Sequence, residues 1–510
     1  MPRDYINLSR AQDLKKPKER FLYRFFETIS AVLSFGTLGF VFLVSWLAPA
    51  VIAVFIIIFD LYWLLRITYL ACHQIVSWRQ MKRNLEIDWL EKLNLLPARN
   101  WQEIYHLIIL PAYREGVEIV RATLQSLLDT EYPKEKMIVV LATEERAGQV
   151  AQKTAKEIEK KFDSKFLRFL VTVHPKDIAG EVAGKGSNET WAVACAREEV
   201  IDKLSIPHQN VIISGFDIDT KPDPQYFGCL TWHYLTTENP LRASYQPIPV
   251  YNNNIWSAPA FSRVISTSGT FWQMMQQERP EQLVTYSAHA MPFKTFLEVG
   301  YPRNIVADDS HIFWKSFLYY NGDYRVIPLH YPVSMDAVLA KNLFRTALNQ
   351  YRQQRRWAWG CVEVPYLLYG FLKNKKIPLW EKVRHSFIVI EGFWSWATVA
   401  LLIFFLGWLP LMLGGESFNV TMLSYNLPKI TSYIMTAAMI GMIVSAIISQ
   451  LILPPRPSRC SRWKNLSMVL QWLLLPITLI IFGTLPALDA QIRLMLGKHL
   501  GFWVTEKVRK

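Results

Sequence analysis

Three groups of residues in the polar middle of the chain have the types and spacing for joint chemistry. They are an acidic pair at Asp217 and Asp219, a second at Asp308 and Asp309, and the run Gln353-Gln354-Arg355-Arg356-Trp357. Asp217-Ile218-Asp219 directly follows the apolar run Val211 to Ser214, which reads as a buried strand. Alternate residues of an extended segment point to the same side, so the two carboxylates can share one divalent cation. Magnesium or manganese there would bridge to a diphosphate and neutralise it as it leaves. The bland alternative is an Asp-x-Asp met by chance. Adjacent carboxylates such as Asp308 and Asp309 rarely face one site together, so one should meet the reactants and the other be structural. A carboxylate that takes a proton from an attacking hydroxyl is a general base, and capping of the helix that follows explains the pair equally well. In the run from Gln353 to Trp357, arginine offers a planar fork matched to phosphate oxygens. Its indole packs against the apolar side of a pyranose ring. The alternative is a basic amphipathic helix on a membrane, with Trp357 and Trp359 as interface anchors. Together the three groups suggest sugar transfer beside a lipid bilayer.

Two loops could hold the rest of a substrate. Pro111-Ala112-Tyr113-Arg114-Glu115 closes a strand and opens a helix. A helix N-terminus suits a nucleotide or phosphate, with Tyr113 stacking and Glu115 accepting from ribose or base. Ordinary capping by an acidic first turn is the competing account. Gly184-Lys185-Gly186-Ser187-Asn188 resembles a phosphate-facing loop without the full P-loop spacing, and a solvated glycine turn accounts for it as well. His289 and the run Asn252 to Asn254 are further candidates to line a donor or acceptor pocket, with loop hydrogen bonding as the alternative.

The elements that must position these residues follow from the apolar pattern. The 510 residues are 51% hydrophobic, too apolar for an ordinary soluble enzyme. The net charge of +14 is concentrated in clusters that hug the apolar segments: Lys15 to Lys18, Arg79 to Arg83, Lys373 to Arg384, and Arg456 to Lys464. Cytoplasmic loops look like this under the positive-inside rule. No basic region is interleaved with a stacking platform, so no nucleic acid is expected as a partner. The five scattered cysteines contain no CxxC pair and read as reduced structural thiols. Met1 to Arg20 is polar and charged, unlike a signal peptide.

The chain divides as follows. Residues 1–28 form a cytosolic segment and 29–72 two membrane helices, at ~20 residues per crossing. Asp60 and Arg66 in the second are expected to snorkel or pair. Residues 73–101 are a basic connector, and 102–362 an α/β domain. Within it, strands are expected at Tyr105 to Leu110, Met137 to Leu141, Phe169 to Val173 and Val211 to Ser214. Helices are expected at Glu115 to Leu128, Val150 to Phe162, from Asn188, and Ser310 to Tyr320. Such alternation predicts a doubly wound sheet that binds ligands at the carboxyl ends of its strands. Residues 363–384 read as an interfacial helix and basic linker, 385–490 as about three membrane segments, and 491–510 as a basic tail. Five crossings would place that tail outside, against its charge. A re-entrant last segment, broken at Pro476 and Pro486, or a sixth element would remove the conflict.

Taken in order, these motifs resemble the membrane-embedded family 2 glycosyltransferases, the group that includes cellulose, chitin and hyaluronan synthases. The resemblance implies a GT-A-type, Rossmann-like cytosolic domain with a mixed, mainly parallel sheet, flanked by transmembrane helices. It also implies a multi-pass protein of the plasma (bacterial inner) membrane. Pro111 to Glu115 is similar to the family's opening nucleotide motif, Asp217 and Asp219 to its metal-binding Asp-x-Asp, and Gln353, Arg356 and Trp357 to its Gln-x-x-Arg-Trp. That last motif implies contact with donor diphosphate and acceptor sugar, with Asp308 beside it. The family's Thr-Glu-Asp reads Ala307-Asp308-Asp309 here, and Asp309 takes the base position. Where the family has a uracil-contacting aspartate after strand two, this chain has Ala142-Thr143-Glu144-Glu145, so Glu144 would have to reach the base. Lys185 falls in a loop similar to the family's lysine loop, and Gly501 to Lys507 is similar to the Trp-x-Thr-x-Lys endings of bacterial members.

The implied reaction is a direct inverting displacement. Asp309 deprotonates an acceptor hydroxyl, while Asp219 and Asp217 with Mg2+ or Mn2+, helped by Arg356 and Lys185, stabilise the leaving diphosphate. The donor would be a UDP- or GDP-sugar, and the acceptor a growing glycan. A transferase that adds one sugar to a lipid carrier or headgroup is the first alternative, and a non-catalytic membrane scaffold the second.

Overall fold

The computed structural model describes residues 4–96, 100–458 and 460–501. The similarity to the Trp-x-Thr-x-Lys ending therefore lies mostly outside the described residues.

A single mixed sheet of eight strands organises the polar middle. The strands are β1 (Tyr105–Pro111), β2 (Met137–Glu144), β3 (Arg168–His174), β4 (Val211–Gly215), β5 (Lys221–Pro222), β6 (Ala243–Val250), β7 (Ala290–Pro292) and β8 (Arg325–Ser334). Their order is β3-β2-β1-β4-β7-β6-β8-β5, with β1 to β4 mutually parallel where paired and β7 antiparallel between β4 and β6. β1 and β2 carry continuous apolar runs, Leu107 to Leu110 and Met137 to Ala142, because both faces are covered. Leu107, Ile109, Ile138 and Val140 enter one core, and Ile108, Leu110, Val139 and Leu141 the other. The four expected strands and the helices Val117–Leu128, Gln149–Phe162 and Asp308–Tyr319 lie within a few residues of their predicted bounds. The helix expected from Asn188 begins earlier, at Lys185. β6 and β8 had no strand signal because each carries prolines that interrupt a ladder, and their pairing indeed shifts register between Gln246 and Ile248.

Five helical segments among the described residues are long and apolar enough to cross a membrane. Four form two successive up-and-down pairs, Pro17–Leu47 with Pro49–Leu85 and Leu379–Phe404 with Met422–Leu451, in which Leu379–Phe404 packs on Pro17–Leu47 and Met422–Leu451 on Pro49–Leu85. The first pair is longer than expected, because polar turns at both ends continue the helices into the α/β domain. Tyr23 packs on Tyr369, and Asn84 donates to the Leu329 carbonyl at 3.1 Å. At the far end the tips of the two pairs meet: Phe418 clusters with Ala53, and a Cβ on Gly414 would come within 2.9 Å of Pro49. Phe40, Trp46, Ile58, Leu65, Phe387 and Ile440 point outward, as lipid-facing side chains do. Asp60 is buried, and Arg66 pairs with Glu391 of Leu379–Phe404 rather than with Asp60.

The fifth segment, Trp463–Met495, is a chain of short helical pieces rather than one rod. It packs on the α/β domain at several points and also on Pro17–Leu47 and Leu379–Phe404. Met468 clusters with Trp256, Trp472 stacks on Phe271 at 5.8 Å, Phe482 stacks on Phe261 at 5.2 Å, and Asp489 pairs with Arg355. The expected interfacial helix is a correction: Glu363–Lys373 lies in the core. Val364, Tyr366, Leu367, Tyr369 and Phe371 are all buried against the helices Asp308–Tyr319 and Pro17–Leu47, since its apolar residues surround more than one face.

Candidate active site

Lys185 is the first residue of the helix Lys185–Ala196, which begins beside the carboxyl ends of β2 and β4. Its Nζ lies 2.8 Å from Asp309 Oδ1, 3.1 Å from Asp217 Oδ1 and 3.8 Å from Glu189 Oε1. One buried ammonium thus joins the first aspartate of Asp-x-Asp to the expected base. Burial alone would lower the Lys185 pKa, but Asp217, Asp309, Glu189 and Asp308 outweigh it and hold it well above its ordinary value. Glu189, one helical turn on and fully buried, is pushed well up by burial and by Asp308, Asp309 and Asp217, with Lys185 opposing. Gly186 makes this approach possible. A Cβ there would meet the Pro302 carbonyl at 2.4 Å and Asp308 Oδ2 at 3.1 Å.

Asp217 and Asp219 do not lie on an extended segment. The Thr220 amide donates to the Asp217 carbonyl at 2.8 Å, closing a tight turn. Asp219 is fully buried, and its Oδ2 accepts from the Asp336 amide at 2.8 Å. Asp217 is part-exposed and accepts from Ser287 Oγ at 2.7 Å. Among the described residues no three His, Cys, Asp or Glu side chains form a metal cage. Magnesium typically takes only one or two carboxylates and completes its shell with phosphate oxygens and water. The turn's donor set fits a cation shared with a diphosphate, with Asp217 as the accessible ligand.

The second acidic pair splits as adjacency requires. The Asp309 side chain is part-exposed and meets Lys185, whereas Asp308 is buried, with its pKa pushed up to about 8 by burial and by Asp309. Asp308, expected at the acceptor gate, therefore sits beneath the site. Below it Glu363 accepts from Trp314 Nε1 at 3.0 Å and from Ser310 Oγ, and burial raises its carboxyl to about 7. His289, also buried, has Nδ1 2.9 Å from the Tyr286 carbonyl and 3.9 Å from Asp309 Oδ1, and burial lowers its imidazole pKa against the opposing charge of Asp309.

The helix Leu343–Ala358 carries the third group. Gln353 and Gln354 are buried on its inner face, and Trp357 meets Tyr251 with ring centroids 6.3 Å apart. Tyr251 was not foreseen. Burial raises its hydroxyl pKa, with Asp217, Asp219 and Asp309 adding to it and Arg356 opposing. That set of neighbours puts the two acidic motifs and the arginine around one phenol. Trp359 is no membrane anchor: it is buried beside His499. Arg355 pairs with Asp489 at 2.8 Å, and Arg493 holds the other Asp489 oxygen at 2.6 Å, so the last apolar segment orients this helix. Asn253 and Asn254 serve the loop instead, bonding the Asp219 carbonyl and both backbone groups of Ala337.

At the ends of β1 and β2, Glu115 accepts from the Tyr113 amide at 2.7 Å, a contact within the loop before the helix Val117–Leu128, whose N-cap Gly116 has no side-chain capping bond. Glu144 does not reach outward: Arg146, which sequence reasoning passed over, holds both its oxygens. The guanidinium carbons of Arg146 and Arg114 lie 4.8 and 4.9 Å from the Tyr113 ring centroid. Pro111 ends β1, paired with Ala142.

No known family profile and no curated protein sequence matches the chain. Among solved structures it is similar to a mannosyltransferase, PcManGT from Pyrobaculum calidifontis, in complex with GDP-Man and Mn2+. The two share 13% identity over 75% of this chain and 99% of that one, with a TM-score of 0.38. It is also similar to S. aureus TarS 1–349 in complex with UDP, at 12% identity over 68% and 92% and a TM-score of 0.35. Likeness at this level carries no argument about chemistry, which has to rest on the side chains described above.

Proposed function

We propose that the chain is an inverting family 2 glycosyltransferase that moves a sugar from a nucleotide-sugar donor to a growing polysaccharide at the cytosolic face of a membrane. The observation that supports this most directly is Lys185, whose ammonium stands between Asp217 and Asp309. Residues far apart in sequence converge at the carboxyl ends of the parallel strands β1, β2 and β4, where such folds bind ligands. A cation held by Asp217 and Asp219 would neutralise the departing diphosphate.

The chain's own residues account for the rest. Asp309 takes the proton of an acceptor hydroxyl. The oxygen forms its bond to the anomeric carbon as the bond to the diphosphate oxygen breaks on the opposite side, inverting that carbon. Lys185 and Arg356 offset charge that grows on the leaving group. Trp357 and Tyr251 present aromatic surface that suits the apolar face of an acceptor sugar. Buried Gln353 and the Arg355–Asp489 pair hold the Arg356 helix in place.

The two pairs have their polar ends on the α/β domain, and the segment 463–495 packs on that domain at several points. Four crossings bring both termini to the same, cytosolic side, in keeping with the basic clusters. Four helices are few for a polymer conduit, which favours single transfer to a lipid as the second reading. The test is release of nucleoside diphosphate from purified protein with a divalent metal across several sugar nucleotides. Asp309→Asn is expected to abolish release while donor binding persists, and normal turnover in the folded variant would sink the assignment. A ladder of products, against one lipid-soluble glycoside, separates the two readings.

A further inference from the structure

The mouth of the α/β domain beyond β1 and β2 is lined by Tyr113, Arg114 and Arg146, and its one guanidinium–carboxylate pair leaves a specific set of donors over. Arg146 binds Glu144 through Nε and Nη2, the second at 3.0 Å, so the side-on fork of the guanidinium is used. The Glu144 side chain is buried and that of Arg146 part-exposed, at 7% and 28%. Glu144 leaves the end-on fork, Nη1 and the second Nη2 proton, unused on this part-exposed side chain. Glu145 turns away and accepts from the Lys176 amide at 3.0 Å, and Thr143 donates to the Thr172 carbonyl at 2.7 Å. Arg114 is anchored by Nε to the Ala147 carbonyl at 3.2 Å, which holds it beside Tyr113.

We infer that this mouth binds the base of the donor and selects guanine, so that the donor is a guanosine diphosphate sugar. The inference rests on the nucleotide-sugar reading above. An arginine end-on fork needs two neighbouring acceptors, and guanine presents O6 and N7 side by side. On uracil the acceptors O2 and O4 are separated by N3–H, so a two-donor fork placed there meets one acceptor and one donor. Both oxygens of Glu144, the carboxylate at the end of β2, are taken by Arg146. Adenine pairs its N7 with the donor N6 and would set donor against donor. Cytosine has adjacent acceptors at N3 and O2, but its single ring covers less of Tyr113 and Arg114 than a purine does. Stacking on tyrosine and guanidinium planes strengthens with ring area.

Binding of GDP, UDP, CDP and ADP to the detergent-solubilised full chain with manganese, followed by calorimetry, tests this directly. GDP is expected to bind at least about tenfold more tightly than the other three, the range of one bidentate base contact. Arg146→Ala should lower GDP affinity about tenfold while UDP affinity stays within about twofold, and Arg146→Lys should do the same, since an ammonium has no fork. Equal or tighter binding of UDP, CDP or ADP overturns the proposal, as does an equal loss for all four in Arg146→Ala. Where the variant fails to fold, the wild-type order of affinities decides alone. If the folded wild type binds no nucleoside diphosphate at all, the glycosyltransferase reading fails with it, an outcome distinct from a wrong base.

Discussion

The Lys185 ammonium lies 2.8 Å from Oδ1 of Asp309, joining the first turns of two helices that are 124 positions apart in the chain. The same nitrogen is 3.1 Å from Asp217. A lysine so placed touches the carboxylate assigned to the leaving-group side and the one assigned to the acceptor side.

Lys185→Ala is expected to reduce nucleoside diphosphate release by about a hundredfold or more, because a preorganised charge at a developing anion is worth that much. Lys185→Arg should recover part of the loss. Donor binding measured on the same preparations separates weakened binding from slowed chemistry. Turnover in Lys185→Ala within about threefold of wild type would remove Lys185 from the mechanism.

Glu363 makes stability depend on pH. Its carboxyl is raised from an ordinary 4.5 to about 7 in the folded protein. The folded state therefore prefers the proton, and the stabilisation is complete below pH ~4.5 and lost as pH rises through about 7. Asp308, raised to about 8, extends the decline. Glu363→Gln keeps an acceptor for Trp314 and a polar partner for Ser310 without the charge. It should melt higher than wild type at pH 8, by an amount on the order of 3 kcal/mol, and equal it at about pH 4. Parallel melting curves at both pH values would show that Glu363 is not the titrating group.

The path of the last apolar segment predicts the side of the C-terminus. A single cysteine appended there, in a variant with Cys72, Cys195, Cys229, Cys361 and Cys460 replaced, should resist a membrane-impermeant maleimide in intact spheroplasts. It should react once the membrane is opened. Labelling of intact spheroplasts would mean that Trp463–Met495 crosses after all.

The sequence by itself determined the parts whose signal is local. The buried strands β1 to β4 showed as apolar runs, and the first helix pair showed as an apolar stretch of membrane length. The acidic pairs showed as residues at the carboxyl edges of strands or the starts of helices. Local pattern did not extend to β6 and β8, where prolines mask a strand that only pairing sustains. Nor did it reveal that Asp217-Ile218-Asp219 folds into a turn, that Glu363–Lys373 is a core helix, or that Trp463–Met495 packs on the domain at several points. Each depends on what packs against it. The partners of single side chains were the most remote from the sequence. Glu144 looked like a base contact until Arg146 was seen to hold it, and Tyr251 carried no motif. Tertiary structure decided which carboxylate meets Lys185 and which is buried to hold a proton. A charge's environment is set by neighbours brought from distant positions, and no spacing along the chain records them.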